Sequence, residues 1–330
     1  MKTRPFIGSP IPSLIANPVV AEEGSLQESA GSLPPLLAGV PKRPVAARTI
    51  AEFPAGTFLE NIVTDRDGVL WITDYEAGKI LRIAPNGKTA EFADLGGKIA
   101  GIARDRAGNL IVGGWADGKT PTIFRVARNA RVERLAAPDG VVFPNGIARL
   151  SGDRFLIADS YRGVIWQFDA ATRKTSIWLE DALLTRVSSE NPVPGANGLK
   201  IFREVLYVTN TQRQEILRVP LRGDGHPGKV SVWVKRINGD DFAPDIRGNL
   251  YVTTHFYNSV IRVAPNGRMT ILADASAGLR GATALAFGRT VRDRTAAYVV
   301  TNGGVTLPGS EGPESARVVR LEIGVPGAAV

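Results

Sequence analysis

The 330-residue sequence predicts an all-β protein, a six-bladed β-propeller of four-stranded blades. Three observations carry this: a weak sixfold repeat, short strands within each repeat, and complementary ends of the repeating region. The repeats are FLENIVTDRDGVLWITD (58–74), KIAGIARDRAGNLIVGGW (98–115), FPNGIARLSGDRFLIADS (143–160), GANGLKIFREVLYVTNT (195–211), GDDFAPDIRGNLYVTTH (239–255) and ATALAFGRTVRDRTAAYVVTN (282–302). Counted from Glu60 through Ala100, Asn145, Asn197 and Asp240 to Thr283, the spacings are 40, 45, 52, 43 and 43 residues. A period of about 40–50 residues built from short strands is that of a propeller blade.

Each unit reads in the same order. An apolar strand meets a turn such as DRDG, DRAG or DIRG, and an aliphatic strand such as VLWIT, NLIVG or NLYVT follows. A third strand alternates apolar and polar or basic residues, as in KILRIAPNG, TIFRVARN, VIWQFDAAT, EILRVPLRG, SVIRVAPNG and RVVRLEIG. A weaker fourth strand closes the unit: TAEFADL, TSIWLED, VSVWVK or MTILADA. Alternation with period two, and Gly, Asn and Asp at the turns, argue for strands over helices.

The sixth unit runs out after its third strand, RVVRLEIG (317–324), whereas RTIAEFP (48–54) precedes the first unit and resembles the fourth-strand segment KTAEFADL (88–95). Residues 48–54 are therefore expected to complete the last blade and remove an open edge. One propeller then covers 46–326, with 327–330 as a tail. Residues 1–45, with eight prolines and no periodicity, read as a disordered leader. An export signal is the alternative for this segment, from Lys2 and Arg4 to Val19–Val20–Ala21, but Pro10 and Pro12 interrupt its apolar stretch. The compartment stays open between cytoplasm and export.

Composition narrows the chemistry. Hydrophobic residues make up 44%, enough for apolar layers between blades, and no run reaches the ~18 residues of a membrane span. The absence of cysteine excludes disulfides, thiolate metal sites and cysteine nucleophiles. The net charge of +8 is spread along third strands and turns with no nucleic-acid-binding motif, so a small molecule, not nucleic acid, is the expected partner.

Glu60, Asn145, Asn197 and Asp240 occupy one repeat position, where the second and sixth units carry Ala100 and Thr283. In a radial array, two carboxylates and two amide oxygens converge on the axis. Such hard oxygen donors suit one divalent cation, above all calcium. With these donors at the start of each innermost strand, the second strands should end on the same face. Asp74, Trp115, Asp159, Asn210, His255 and Asn302 are expected to ring the mouth there, and His226 to lie on the opposite face.

Glu60, the Asn–Gly pairs at 145 and 197, and Asp240 resemble the metal site of the regucalcin and gluconolactonase superfamily, which is related to the paraoxonases and diisopropyl fluorophosphatase. FPNGIA, ANGL, GDDFA, GNLYV, ATALAFG, YVVTNGG and RVVRLEIGVPG add to the resemblance, which spans about 46–326. It implies a propeller with a catalytic divalent ion, usually calcium, that hydrolyses lactones, esters or phosphoesters. Regucalcin-like relatives often carry an Asp directly after the third-unit Asn, where this chain has Gly146. That departure weakens the expectation of gluconolactone chemistry.

A bound calcium ion polarises a carbonyl oxygen and orients water, which leaves a proton for a general base. His255 is the first candidate because its free pKa lies near neutrality. Asp241 and Asp159 are the alternatives. The loop LTRVSSENPVPG (184–195) accounts for the longest spacing and is expected either to cover the mouth as a lid or to be a passive insertion. The leading reading is a metal-dependent lactonase or esterase. The alternatives are a non-catalytic binding propeller with a structural ion and a strictosidine-synthase-like propeller enzyme.

Overall fold

In the computed structural model, which describes residue 33 and residues 35–329, the predicted alternation becomes six four-stranded antiparallel sheets. The first blade consists of Leu59–Thr64, Leu70–Asp74, Lys79–Ile83 and Thr89–Asp94. Four further blades follow in the same up-and-down order within 98–136, 144–180, 196–235 and 242–273. The innermost strands neighbour one another in a closed cycle, sixth against first included. Six apolar clusters hold the ring, one at each interface between adjacent blades. Ile62 and Ile72 of the first blade, for example, pack with Ala284 and Val300 of the sixth.

The last blade closes as the sequence predicts. Ala47–Ala55 pairs antiparallel with Ser315–Glu322, from Ala47 opposite Leu321 to Ala55 opposite Ser315. Its partly buried Ile50, Ala51 and Phe53 join the cluster between the sixth and first blades.

The boundaries drawn at residues 45 and 327 need correction. Residues 41–45 run beside the outer strand of the fifth blade, where Arg43 N–H and Val45 N–H donate to the carbonyls of Ile271 and Leu272. Leu37 and Val40 pack on the cluster between the fourth and fifth blades. Their apolar side chains and free backbone donors complete a sheet edge, which composition alone does not reveal. The tail likewise docks on a fifth-blade hairpin through Ala328 N–H to Pro244 O. The rest of the proline-rich leader, with the possible export signal, lies outside the described residues.

Backbone irregularity positions the site. The inner strands of the first, second, third, fourth and sixth blades each break register at the repeat position, for instance between Leu59 and Asn61 around Glu60. A bulge re-aims the side chain it carries. Three glycines in this region permit close approach of neighbouring blades. A Cβ on Gly101 would stand 1.9 Å from Asn145 O, one on Gly146 2.2 Å from Asn197 O, and one on Gly198 2.8 Å from Asp240 O. The Asn–Gly pairs are therefore contact points between inner strands, not turns.

Threonines, three on second strands and Thr283 on the sixth inner strand, staple the inner strands to the next blade. Thr73 Oγ1 accepts from Asn61 N–H (2.9 Å) and donates to Ala100 O (2.9 Å). Thr209 Oγ1 accepts from Gly198 N–H (2.8 Å) and donates to Asp240 O (2.6 Å). Thr253 Oγ1 donates to Thr283 O (2.7 Å), and Thr283 Oγ1 donates to Leu59 O (2.7 Å). Thr209→Val keeps the shape but leaves a buried carbonyl and an amide one partner short. It should lower the free energy of unfolding by about 1–3 kcal/mol in urea titration. An unchanged midpoint would contradict the staple.

Candidate metal centre

The six repeat positions, five of them at bulges, deliver unequal chemistry to one end of the ring. Asn145, Asn197 and Asp240 are almost fully buried, and Glu60 is half-buried. Asn197 Nδ2 donates to Asp240 Oδ1 (2.7 Å) and to Thr211 Oγ1 (3.0 Å), which leaves the Asn197 carbonyl oxygen without a hydrogen bond. The second Asp240 oxygen lies 3.2 Å from His255 Nδ1. No protein group among the described residues hydrogen-bonds the side chain of Glu60 or of Asn145.

Charge sets the site apart from ordinary core. Burial, then the nearby charges of Asp240 and Asp241, push the Glu60 carboxyl well above the usual carboxylate range. Burial also raises Asp241, against the opposing pull of Lys200. Lys200 Nζ sits 2.6 Å from Asp241 Oδ1 and 2.8 Å from Oδ2. With all groups ionised, the three carboxylates and one ammonium leave two negative charges, the complement of one divalent cation. Among the described residues no three His, Cys, Asp or Glu side chains group as a metal site. The fit therefore depends on the amide oxygens of Asn145 and Asn197, which suit a hard cation over a transition metal.

The candidate bases separate in the structure. Asp159 is fully buried and is held within its own blade: it accepts from the backbone N–H of Val142 (2.8 Å) and Phe143 (3.0 Å), which lead into the inner strand, and from Trp166 Nε1 (3.2 Å) on the third strand. It is not brought to the donors, because those loop amides and the indole take both of its oxygens. Asp241 lies beside Asp240 but is held by Lys200. Only His255 touches the presumed donor set.

Its tautomer follows from its neighbours. Gly304 N–H donates to Asn302 Oδ1 (2.8 Å), so the Asn302 amide nitrogen faces His255 Nε2 at 2.8 Å. Asn302 Nδ2 is donor-only, so Nε2 accepts and the proton of the neutral ring resides on Nδ1, directed at Asp240. Thr306 Oγ1 lies 2.6 Å from the same Nε2.

The predicted ring around the mouth is half right. Asp74 accepts from Ala77 N–H in its own turn, and Asn210 accepts from Arg213 N–H in its turn while its amide donates to Leu183 O and Thr185 O in the connection from the third blade. His255 and Asn302 stand one residue beyond the strand ends, in register with Tyr75, Ser160 and Thr211. The shared Leu–x–Val/Ile–Thr of 70–73, 206–209 and 250–253 is the sequence signal for that register. His226 is exposed in a third-to-fourth-strand turn, at the other end of the blade from the donors. The loop 184–195 is bolted down, since Gln212 Nε2 donates to the carbonyls of Ser188, Asn191 and Val193 and its Oε1 accepts from Ser188 N–H. It lies against Tyr161 of the third blade, whose hydroxyl donates to Pro192 O (3.0 Å).

No protein-family model matches the chain, and no curated protein matches it in sequence. Solved structures do match the fold. A luciferin-regenerating enzyme shares 14% identity over 86% of this chain and 98% of its own, with a TM-score of 0.66. Regucalcin from Agrobacterium tumefaciens, described as a calcium-binding protein, shares 15% identity over 88% and 97%, with a TM-score of 0.66. A gluconolactonase from Xanthomonas campestris shares 15% over 86% and 90%, with a TM-score of 0.64. The chain thus has the propeller fold of these proteins. No helix among the described residues is long and apolar enough to cross a membrane.

Proposed function

We propose that this protein is a calcium-dependent hydrolase of a small lactone or ester. The observation that carries the reading is the donor set of two carboxylates and two amides, which with Asp241 and Lys200 leaves two negative charges when all are ionised, and in which the Glu60 and Asn145 side chains have no hydrogen bond among the described residues. The fold likeness to regucalcin and to a gluconolactonase supports it.

Glu60, Asn145, Asn197 and Asp240 would hold the ion. When bound, it supplies a Lewis acid for the substrate carbonyl and a template for water. The chain supplies the rest. Asn197 Nδ2 and His255 Nδ1 hold the two Asp240 oxygens, and each oxygen keeps a second lone pair for a cation. His255 is the proton acceptor: Nε2 carries no proton in the neutral ring, and the Thr306 hydroxyl beside it provides the path from the water to the ring. Asp240 then stabilises the imidazolium, as a buried carboxylate does for a catalytic histidine.

The test is a panel of lactones, aryl esters and organophosphates, assayed on chelator-treated protein with and without added calcium. Hydrolysis that appears with calcium and disappears with chelator is expected. Activity that survives thorough chelation would contradict the reading. Calcium-dependent stabilisation without turnover would favour a binding propeller with a structural ion.

A further inference from the structure

One arc of the same mouth is lined by aromatic rings in unbroken succession. Phe58 and Tyr75 lie 5.2 Å apart between ring centroids, Tyr75 and Trp115 6.1 Å, Trp115 and Phe143 4.8 Å, and Phe143 and Tyr161 5.0 Å. The His255 ring meets Phe58 edge-on at 5.8 Å, so the arc begins beside Asp240. Each ring follows the end of a second strand, ends one, or immediately precedes an inner strand, all on the donor face of the first three blades.

These rings are not there to pack the blades. None of the five belongs to any of the six interface clusters, and each stays partly exposed. Two have spent their polar tips on backbone: Trp115 Nε1 donates to Val142 O (3.3 Å) and the Tyr161 hydroxyl to Pro192 O (3.0 Å). Along this arc only the Tyr75 hydroxyl keeps an unspent donor. The arc ends under the Arg186 guanidinium, 4.2 Å from the Tyr161 ring centre. On the side of the fourth to sixth blades polar groups such as Thr211, Asn302 and Thr306 predominate, with Phe256 stacked on the His255 ring at 5.0 Å as the aromatic exception.

We infer that the substrate carries an aromatic group, or a flat apolar group of similar size, that lies against Phe58, Tyr75, Trp115, Phe143 and Tyr161 while its carbonyl faces Glu60 and Asp240. The inference rests on the hydrolase reading and gives it a substrate class. Edge-to-face aromatic contacts add to the burial of apolar area. A polyhydroxylated sugar lactone would instead turn hydroxyls onto ring faces that offer almost no partners, which costs affinity.

The test compares a phenyl-substituted δ-lactone, unsubstituted δ-valerolactone and gluconolactone. Wild type, Trp115→Ala and the milder Trp115→Leu are assayed with calcium, with circular dichroism to verify folding. Trp115→Ala is expected to raise KM for the phenyl lactone roughly tenfold or more, with kcat changed little and a distinctly smaller rise in KM for δ-valerolactone. In a second arm, equilibrium dialysis of a non-hydrolysable aryl ketone should show binding to wild type and at least about tenfold weaker binding to both variants. Preference for gluconolactone, or equal loss for all substrates in both variants, would overturn the inference. If nothing is hydrolysed yet the ketone binds and is lost in the variants, the aromatic site stands and the hydrolase reading alone fails.

Discussion

Asp240→Ala is expected to abolish calcium-dependent hydrolysis, with kcat/KM falling by at least about 10³-fold, because the Lewis-acid contribution at stake is worth several kcal/mol. Asp240 is the hub of the centre. Its oxygens are held by Asn197 Nδ2 and His255 Nδ1, and its backbone carbonyl is held by Thr209. Truncation removes one negative charge and also frees the histidine and the amide it orients. A ligand that binds only the folded state stabilises by about 2.7 kcal/mol at a hundredfold excess over Kd, and the variant should lose that calcium-dependent rise in Tm. The metal-free baseline is less informative. There the substitution relieves repulsion with Glu60 but leaves the partners of Asp240 unbonded. A variant that keeps both activity and the calcium-dependent shift would remove Asp240 from the centre.

Deletion of residues 1–55 is expected to cause the largest loss of stability, whereas a chain starting at Ala46 keeps the ring closed. The closing strand contributes its backbone pairing to Ser315–Glu322 and buries parts of Ile50 and Phe53. At about 1 kcal/mol per hydrogen bond and 1.5–3 kcal/mol per fully buried large apolar side chain, the loss approaches 8 kcal/mol. In a domain of this size that corresponds to a fall in Tm on the order of 15 °C. The opened blade also exposes a strand edge, so aggregation should accompany melting. Comparing the two truncations by differential scanning calorimetry isolates closure from the docking of residues 41–45. Equal melting temperatures would show that Ala47–Ala55 is dispensable.

The repeat made the architecture legible. Each blade buries its faces against two neighbours, so the alternation recurs, and a missing fourth strand at one end must be supplied from the other. The shared position of Glu60, Asn145, Asn197 and Asp240 was legible for the same reason, since the four hold one register in the repeat. What period-two alternation could not convey was the hydrogen-bond register itself. His255 aligns by eye with Asp74, yet in the sheet Thr254 takes that place and His255 swings to Asp240. Asp159 looked like a mouth residue, but the backbone amides of Val142, Phe143 and Arg162 and the Trp166 indole nitrogen, all of its own blade, claim it. Such capping depends on which loop folds over which strand end. The bulges, the threonine staples and the docking of residues 41–45 likewise arise from contacts between blades, for which a single strand's pattern carries no signal. Gly146 illustrates the point. It reads as a missing acid in a comparison of motifs, whereas the structure needs a residue without a Cβ beside Asn197 O.

Calorimetric titration of chelator-treated protein with calcium chloride tests the central claim most directly. Wild type should bind one ion, and Glu60→Gln and Asp240→Asn should each lose that binding, while His226→Ala on the opposite face retains it. No binding by wild type, or unchanged stoichiometry and affinity in both carboxylate variants, would contradict a metal centre built from Glu60, Asn145, Asn197 and Asp240.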